Sequence, residues 1–268
     1  MNAVLQISDT HFGTERPHVV RALLELNRMM APEVVVLSGD ITQRARRSQF
    51  AAARQFVDRL EAANVVIVPG NHDIPLFNLF ARAFHPYANY TRAFGSDLEP
   101  AFESESLLIL GVNTTRASRH KDGEIADEQV ARVSARLARA SKRQLRIVVT
   151  HQPVHVIRDH DISNLLHGHE KAVRSWSAAG ADIIMGGHIH LPYVRRLTDR
   201  FTDLSRRIWS VQAGTAVSHR VRSSHPNSVN VVHYPTDRAG GCRVERWDFD
   251  AASATFKIGE VHELELQR

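Results

Sequence analysis

Five short clusters along the chain carry residue types able to hold metal ions: Asp9-Thr10-His11, Gly39-Asp40, Gly70-Asn71-His72-Asp73, His151, and Gly187-His188-Ile189-His190. Carboxylate and imidazole ligands together suit first-row divalent ions such as manganese, iron or zinc, and the set does not choose among them. Asp9 with His11, and His188 with His190, are spaced i and i+2. In extended backbone such pairs point to one side and can converge on one site. Two ions roughly 3.5–4 Å apart need a bridging anion, which a carboxylate such as Asp40 can supply. Gly39, Gly70, Gly186 and Gly187 lie beside these residues, where they let the backbone turn sharply and approach an ion.

The elements that must position these clusters are legible in the pattern. Five β-branched runs, Val4 to Ser8, Val34 to Ser38, Val65 to Val68, Leu145 to Thr150 and Asp182 to Met185, each end in one of the clusters. In open parallel sheets ligands bind beyond the carboxyl ends of the strands, so five loops distant in sequence are brought to one edge. Amphipathic helices are expected over Pro17 to Met30, Ser48 to Ala63, Asp127 to Ser141 and Glu170 to Ala179. The alternation of strand and helix predicts βα units and a largely parallel sheet over residues 1–190. Leu107 to Val112 reads as a further strand after a polar, loop-rich insertion from Pro86 to Pro100. After His190, short alternating runs predict consecutive antiparallel strands forming a second sheet. They are Tyr193 to Leu197, Arg207 to Gln212, Val229 to Tyr234, Arg243 to Phe249, Thr255 to Ile258 and Val261 to Leu266. The expectation is one α/β domain over residues 1–268 with two packed sheets.

At 268 residues the chain can bury a substantial core. No apolar run approaches the roughly 18 residues that cross a bilayer, and the opening Val4-Leu5-Gln6-Ile7 lacks the basic segment of a signal peptide. The single cysteine, Cys242, precludes an internal disulfide and suits a reducing compartment, so a cytoplasmic location is expected. The net charge of +5 comes from thirty arginines and only four lysines, scattered along the chain. A basic surface attracts phosphate-bearing ligands without requiring a nucleic acid.

Taken in order, Asp9-x-His11, Gly39-Asp40, Gly70-Asn71-His72-Asp73, His151 and Gly187-His188-x-His190 resemble the motif set of the calcineurin-like metallophosphoesterases, across about the first 190 residues. The resemblance implies an α/β fold in which a two-sheet β-sandwich is flanked by helices, four layers in the order αββα. It implies two divalent ions, one held by Asp9, His11, Asp40 and His190, the other by Asp40, Asn71, His151 and His188. With only two anionic ligands the ion pair stays electropositive, drawing in phosphate and acidifying water. His72 is then a catalytic residue that contacts the phosphate and protonates the leaving oxygen, and Asp73 orients it. The implied reaction is hydrolysis of a phosphate ester by water activated between the ions.

The segment Gly39-Asp40-Ile41-Thr42-Gln43 lacks the Asp-Arg-Gly of the family's protein phosphatases, and His72 stands where the UDP-diacylglucosamine pyrophosphatases have arginine. Compact size, the Gly-Asp-Ile-Thr-Gln run, and Gly214 to Arg220 with Pro226-Asn227-Ser228 resemble the bacterial class III cyclic-nucleotide phosphodiesterases. A small phosphodiester, cyclic nucleotides first, is therefore the expected substrate. The alternatives are a nuclease acting on DNA or RNA ends, a phosphomonoesterase and a non-catalytic metal-bound interaction module. Arg44, Arg46 and Arg47 are expected at the solvated start of a helix, with phosphate binding at the cleft mouth as the alternative. For Arg220 and Arg222 a substrate contact and a purely structural role stand level. His167-Gly168-His169 mimics a ligand pair, but no strand precedes it, and it is left outside the site.

Overall fold

In the computed structural model, which describes residues 2–223, 225–235 and 241–267, strands and helices alternate through the first 190 residues. The order is β1 (Asn2–Ile7), α1 (Pro17–Met30), β2 (Val34–Ser38), α2 (Arg47–Arg59), β3 (Val65–Val68), α3 (Leu79–Phe84), α4 (Ala88–Phe94), β4 (Ala101–Glu103), β5 (Leu107–Gly111), α5 (Asp127–Arg139), β6 (Leu145–Val149), α6 (His169–Ala179) and β7 (Ile183–Gly186). Then follow β8 (Tyr193–Arg196), β9 (Trp209–Gln212), β10 (Ser228–Tyr234), β11 (Cys242–Asp250) and β12 (Thr255–Leu264).

Two six-stranded sheets result, in the orders β12-β11-β10-β1-β2-β3 and β4-β5-β6-β7-β9-β8. The alternating faces of the strands divide the core. Val4, Val34, Val36 and Val66 of the first sheet meet Ile109, Ile147, Val149 and Ile183 of the second in a layer between the sheets. The opposite residues, Leu5, Ile7, Val35 and Leu37, pack against Leu23 of α1 and Phe50 and Phe56 of α2. Leu108, Leu110, Val148 and Ile184 do the same against Val133 and Leu137 of α5 and Trp176 of α6. The fold is thus the expected αββα sandwich. No helix among the described residues is long and apolar enough to cross a membrane.

The strands after His190 do not form a sheet of their own, contrary to expectation. β8 and β9 extend the second sheet, β9 lying parallel to β7, whereas β10 pairs antiparallel with β1 and carries β11 and β12 into the first. The five cluster-bearing strands are likewise divided, β1, β2 and β3 in one sheet and β6 and β7 in the other. Alternation identifies a strand but not its partner. Thr255 to Leu264 is one strand rather than two, crossed by an irregularity opposite Arg246 and Trp247. The expected second helix ends early because Glu61 takes a left-handed conformation, φ 52. The insertion read as loop carries α4, and α3 precedes it.

Candidate dinuclear metal site

The ends of β1, β2, β3, β6 and β7 converge where the two sheets meet. The first two loops continue side by side past their strands, with Asp9 N–H donating to Gly39 O at 3.1 Å and His11 N–H to Asp40 O at 3.0 Å. Gly187 N–H donates to His151 O at 2.8 Å, tying the fourth loop to the fifth. Asp9, His11, Asp40, His188 and His190 all have positive φ, between 43 and 71. The i, i+2 pairs therefore converge through left-handed turns beyond the strand ends, not through extended backbone as expected. Holding a non-glycine residue there costs on the order of 1–3 kcal/mol, a strain the surrounding ladder must offset. Gly39, at φ 91, has its Cα hydrogen against the His151 imidazole, and a Cβ would enter that ring.

Two ligand clusters result. Asp9, His11, Asp40 and His190 offer ligand atoms within 4.8 Å of one another, and so do Asp40, His151 and His188. Asp40 belongs to both and is buried, with Oδ2 3.8 Å from His11 Nε2 and Oδ1 3.3 Å from His151 Nε2. Asp9 Oδ1 lies 3.2 Å from His190 Nε2, and His11 Nε2 only 3.0 Å from that same nitrogen. The Asn71 side-chain oxygen, His151 Nε2 and both ring nitrogens of His188 are buried without a hydrogen bond. Buried polar atoms are normally satisfied, so orphans facing a shared carboxylate are what a pair of ions would complete, and the donor set fits one.

Outer hydrogen bonds fix the rings. His151 Nδ1 donates to Ser38 O at 2.9 Å and His190 Nδ1 to Arg220 O at 2.6 Å, which leaves each Nε2 as the atom that could face an ion. Asp9 is held by Ser8 Oγ at 2.7 Å and His188 N–H at 3.0 Å. Asp73 does not reach the His72 ring, contrary to expectation. Its carboxylate accepts from Ile41 N, Thr42 N, Thr42 Oγ1 and Gly70 N, at 2.8–3.0 Å, and so holds the loop that presents Asp40. Burial first, and then the Asp40 charge, push Asp73 up to about 6. The His72 ring is oriented by Gln43 instead, whose carbonyl accepts from Nδ1 at 2.8 Å. Nothing in the sequence marks Gln43 for this, since any residue carries a carbonyl.

Arg220 and Arg222 both line the cleft over the clusters, as does Arg44, whereas Arg46 and Arg47 are exposed at the start of α2. Arg220 Nη1 lies 3.0 Å from Gln43 Oε1 and 3.3 Å from His72 Nε2. Arg222 pairs with buried Asp161 at 2.9 Å and donates to the carbonyl of Ile189, between two candidate ligands. His167 pairs with Asp122 and His169 opens α6, both outside the two clusters.

Burial, the largest influence, holds His11 and His188 down to about 3, so both rings are neutral and ready to ligate. Burial also pulls His151 down, but the Asp40 and Asp9 carboxylates outweigh it and raise it to about 9. In the metal-free protein this imidazolium stabilises the fold fully below its unfolded value near 6.5, and the contribution is lost as pH rises through about 9. The melting temperature of chelator-treated protein is thus expected to fall between pH 6.5 and 9.5. Manganese-loaded protein, in which a bound ion would take the place of that proton, should not show the fall. Calorimetric melting at both pH values checks it, and a flat metal-free profile would refute the coupling.

A sequence model of the calcineurin-like phosphoesterases matches residues 3–192, and the chain belongs to that family. Over 160 residues it is 26% identical to the glycerophosphodiester phosphodiesterase GpdQ of Enterobacter lignolyticus (strain SCF1), covering 55% of this chain and 56% of that one. The chain therefore spans about half the length of this curated relative. The fold is similar to purple acid phosphatase PPD1 of yellow lupin (Lupinus luteus), with a TM-score of 0.71, 12% identity, and 98% of this chain covered against 53% of that one. It is also similar to a dimetal phosphatase of Danio rerio, with a TM-score of 0.66, 15% identity and 99% of each chain covered.

Proposed function

We propose that this chain is a dinuclear-metal-dependent phosphodiesterase acting on small phosphodiesters, with cyclic nucleotides as the first candidates. The observation that carries the reading is the pair of ligand clusters sharing the buried Asp40 at the floor of a cleft of about 800 Å³. Asp9, His11, Asp40 and His190 would hold one ion and Asp40, Asn71, His151 and His188 the other. When bound, two such ions supply Lewis acidity and acidify water.

The remaining steps belong to the side chains. His72, its Nδ1–H fixed on Gln43, turns Nε2 into the cleft, 4.0 Å from Asp40 Oδ2. From there, when Nε2 also carries a proton, it can pass that proton to the leaving oxygen. Arg220, beside Nε2, brings a fixed positive charge to the phosphoryl oxygens. Arg44 and Lys121 at the cleft wall favour entry of an anion. Ile74, Leu76 and Phe77 interrupt that basic lining, which supports a small diester over a nucleic acid strand. The similarity to a glycerophosphodiester phosphodiesterase supports a diester over a monoester.

Hydrolysis of bis-p-nitrophenyl phosphate and p-nitrophenyl phosphate, with manganese and with chelator, tests the reading. Manganese-dependent turnover of the diester is expected, lost with chelator and in Asn71→Ala. Turnover of the monoester alone would make the protein a phosphatase. No turnover of either with two ions bound would favour a binding module.

A further inference from the structure

The segment after His72 carries an apolar surface that the proposed chemistry does not use. Ile74, Leu76 and Phe77 line the cleft, and beyond them Leu79, Phe80 and Phe84 of α3 are 70%, 69% and 66% exposed. This helix is inside out. Its buried side chain is Arg82, 6% exposed, whose guanidinium donates to the carbonyls of Pro75, at 3.1 Å, and of Arg119. A surface helix ordinarily turns leucine and phenylalanine inward and arginine outward. Here two backbone carbonyls hold the reverse arrangement in place.

The Phe80 and Phe84 rings lie 4.8 Å apart between centroids, and the exposed Phe77 ring carries the Arg44 guanidinium at 5.0 Å. Ile162 is also exposed, beside Asp161, which lines the same cleft. Exposed large apolar side chains gathered in one short segment, here residues 76–84, mark a place where something apolar binds. The strip begins with Leu76 and Phe77, which line the cleft a few residues past His72, and α3 follows directly in the chain. Its inner end is flanked by Arg44, Lys121 and Arg220. The ligand it fits is therefore anionic at one end and apolar at the other.

We infer that the substrate is amphiphilic: a phosphodiester one of whose ester arms is a hydrocarbon chain lying along Phe77, Phe80 and Phe84. The inference rests on the phosphodiesterase reading above and narrows its substrate class. Hydrolysis breaks one P–O ester bond, joins the water oxygen to phosphorus and passes a proton to the departing alcohol oxygen. A phosphomonoester and an alcohol result, and the chain stays with whichever product bears it. A second copy of this protein is the poorer occupant, because two chains of net charge +5 repel and a self-contact gives no reason for the strip to enter the cleft.

Calorimetric titration of manganese-loaded protein with methyl-, butyl- and octylphosphonate, below micelle formation, reads the inference apart from turnover. A fully buried methylene strengthens binding about fourfold, and one lying on an open strip about twofold. Octylphosphonate is therefore expected to bind on the order of 100-fold tighter than methylphosphonate. Phe80→Ser and Phe84→Ser should flatten that slope, and Met29→Ser, at an exposed position of α1, should leave it unchanged. A flat slope in the unmodified protein overturns the inference, as does a slope that neither serine variant alters. A flat slope together with a dimer that Phe80→Ser dissociates would instead assign the strip to a second copy. A steep slope without diester hydrolysis would remove the enzymatic reading and uphold the apolar subsite.

Discussion

Replacing Asp40 by asparagine is expected to lower kcat for bis-p-nitrophenyl phosphate about a thousandfold or more and to release at least one of the two ions. Asp40 is the one side chain common to both clusters, and it supplies one of only two negative charges among the seven candidate ligands. Asparagine keeps the shape and an oxygen able to accept the His72 N–H, which reaches Asp40 Oδ1 at 2.8 Å. The fold should therefore survive, and the loss should register as lost charge, not lost structure. Elemental analysis after dialysis counts the ions, and circular dichroism verifies the fold. A folded Asp40→Asn protein that keeps both ions and full turnover would refute the bridging role.

His72→Ala should act differently, because the role proposed for the imidazole is at the leaving group and not at the ions. For a diester with an alkyl alcohol as leaving group, kcat is expected to fall about 10²–10⁴-fold, the usual contribution of a positioned proton donor. For a p-nitrophenyl ester the fall should be far smaller, since that leaving group departs without a proton. Ion content should be unchanged. The ratio of the two losses is the informative quantity: equal losses for both esters would place His72 in phosphate binding and end its assignment as the acid. Gln43→Ala is no substitute for this experiment, because the contact that fixes the ring is a backbone carbonyl.

Most of the candidate site is legible in the chain, because metal ligation demands particular side chains at particular strand ends, and both demands leave marks in one dimension. Val34 to Ser38 followed by Asp40 is a buried strand running into a carboxylate, and neither part needs knowledge of the partner strand. The failures have a common cause. Gln43 acts on His72 through its backbone, Arg220 acts on His190 through its carbonyl, and Asp73 acts on the amides of Ile41, Thr42 and Gly70. Such roles depend on which loops lie side by side, which spacing within one segment does not encode. Strand pairing is hidden for the same reason: the alternation in β10 is satisfied equally by any neighbour with an apolar face. The turn at Asp9 and His11 is not legible in the chain, because left-handed backbone at a non-glycine residue has little sequence signature.

The pairing of β1 with β10 has a bearing on how the molecule assembles. Asn2 lies opposite Tyr234 and Gln6 opposite Asn230, so one flank of the strand that leads to Asp9 and His11 is covered by residues made more than two hundred positions later. During synthesis from the N-terminus, β1 can meet β2 early but must wait for most of the chain before its other edge is closed. Contacts so distant in sequence slow folding and lengthen the exposure of unpaired edges. Cutting the chain after residue 192, where the family match ends, would keep all seven candidate ligands yet strip β10 from β1 and β9 from β7. Such a fragment would carry the complete ligand set on two open-edged sheets, prone to aggregate before it could hold an ion.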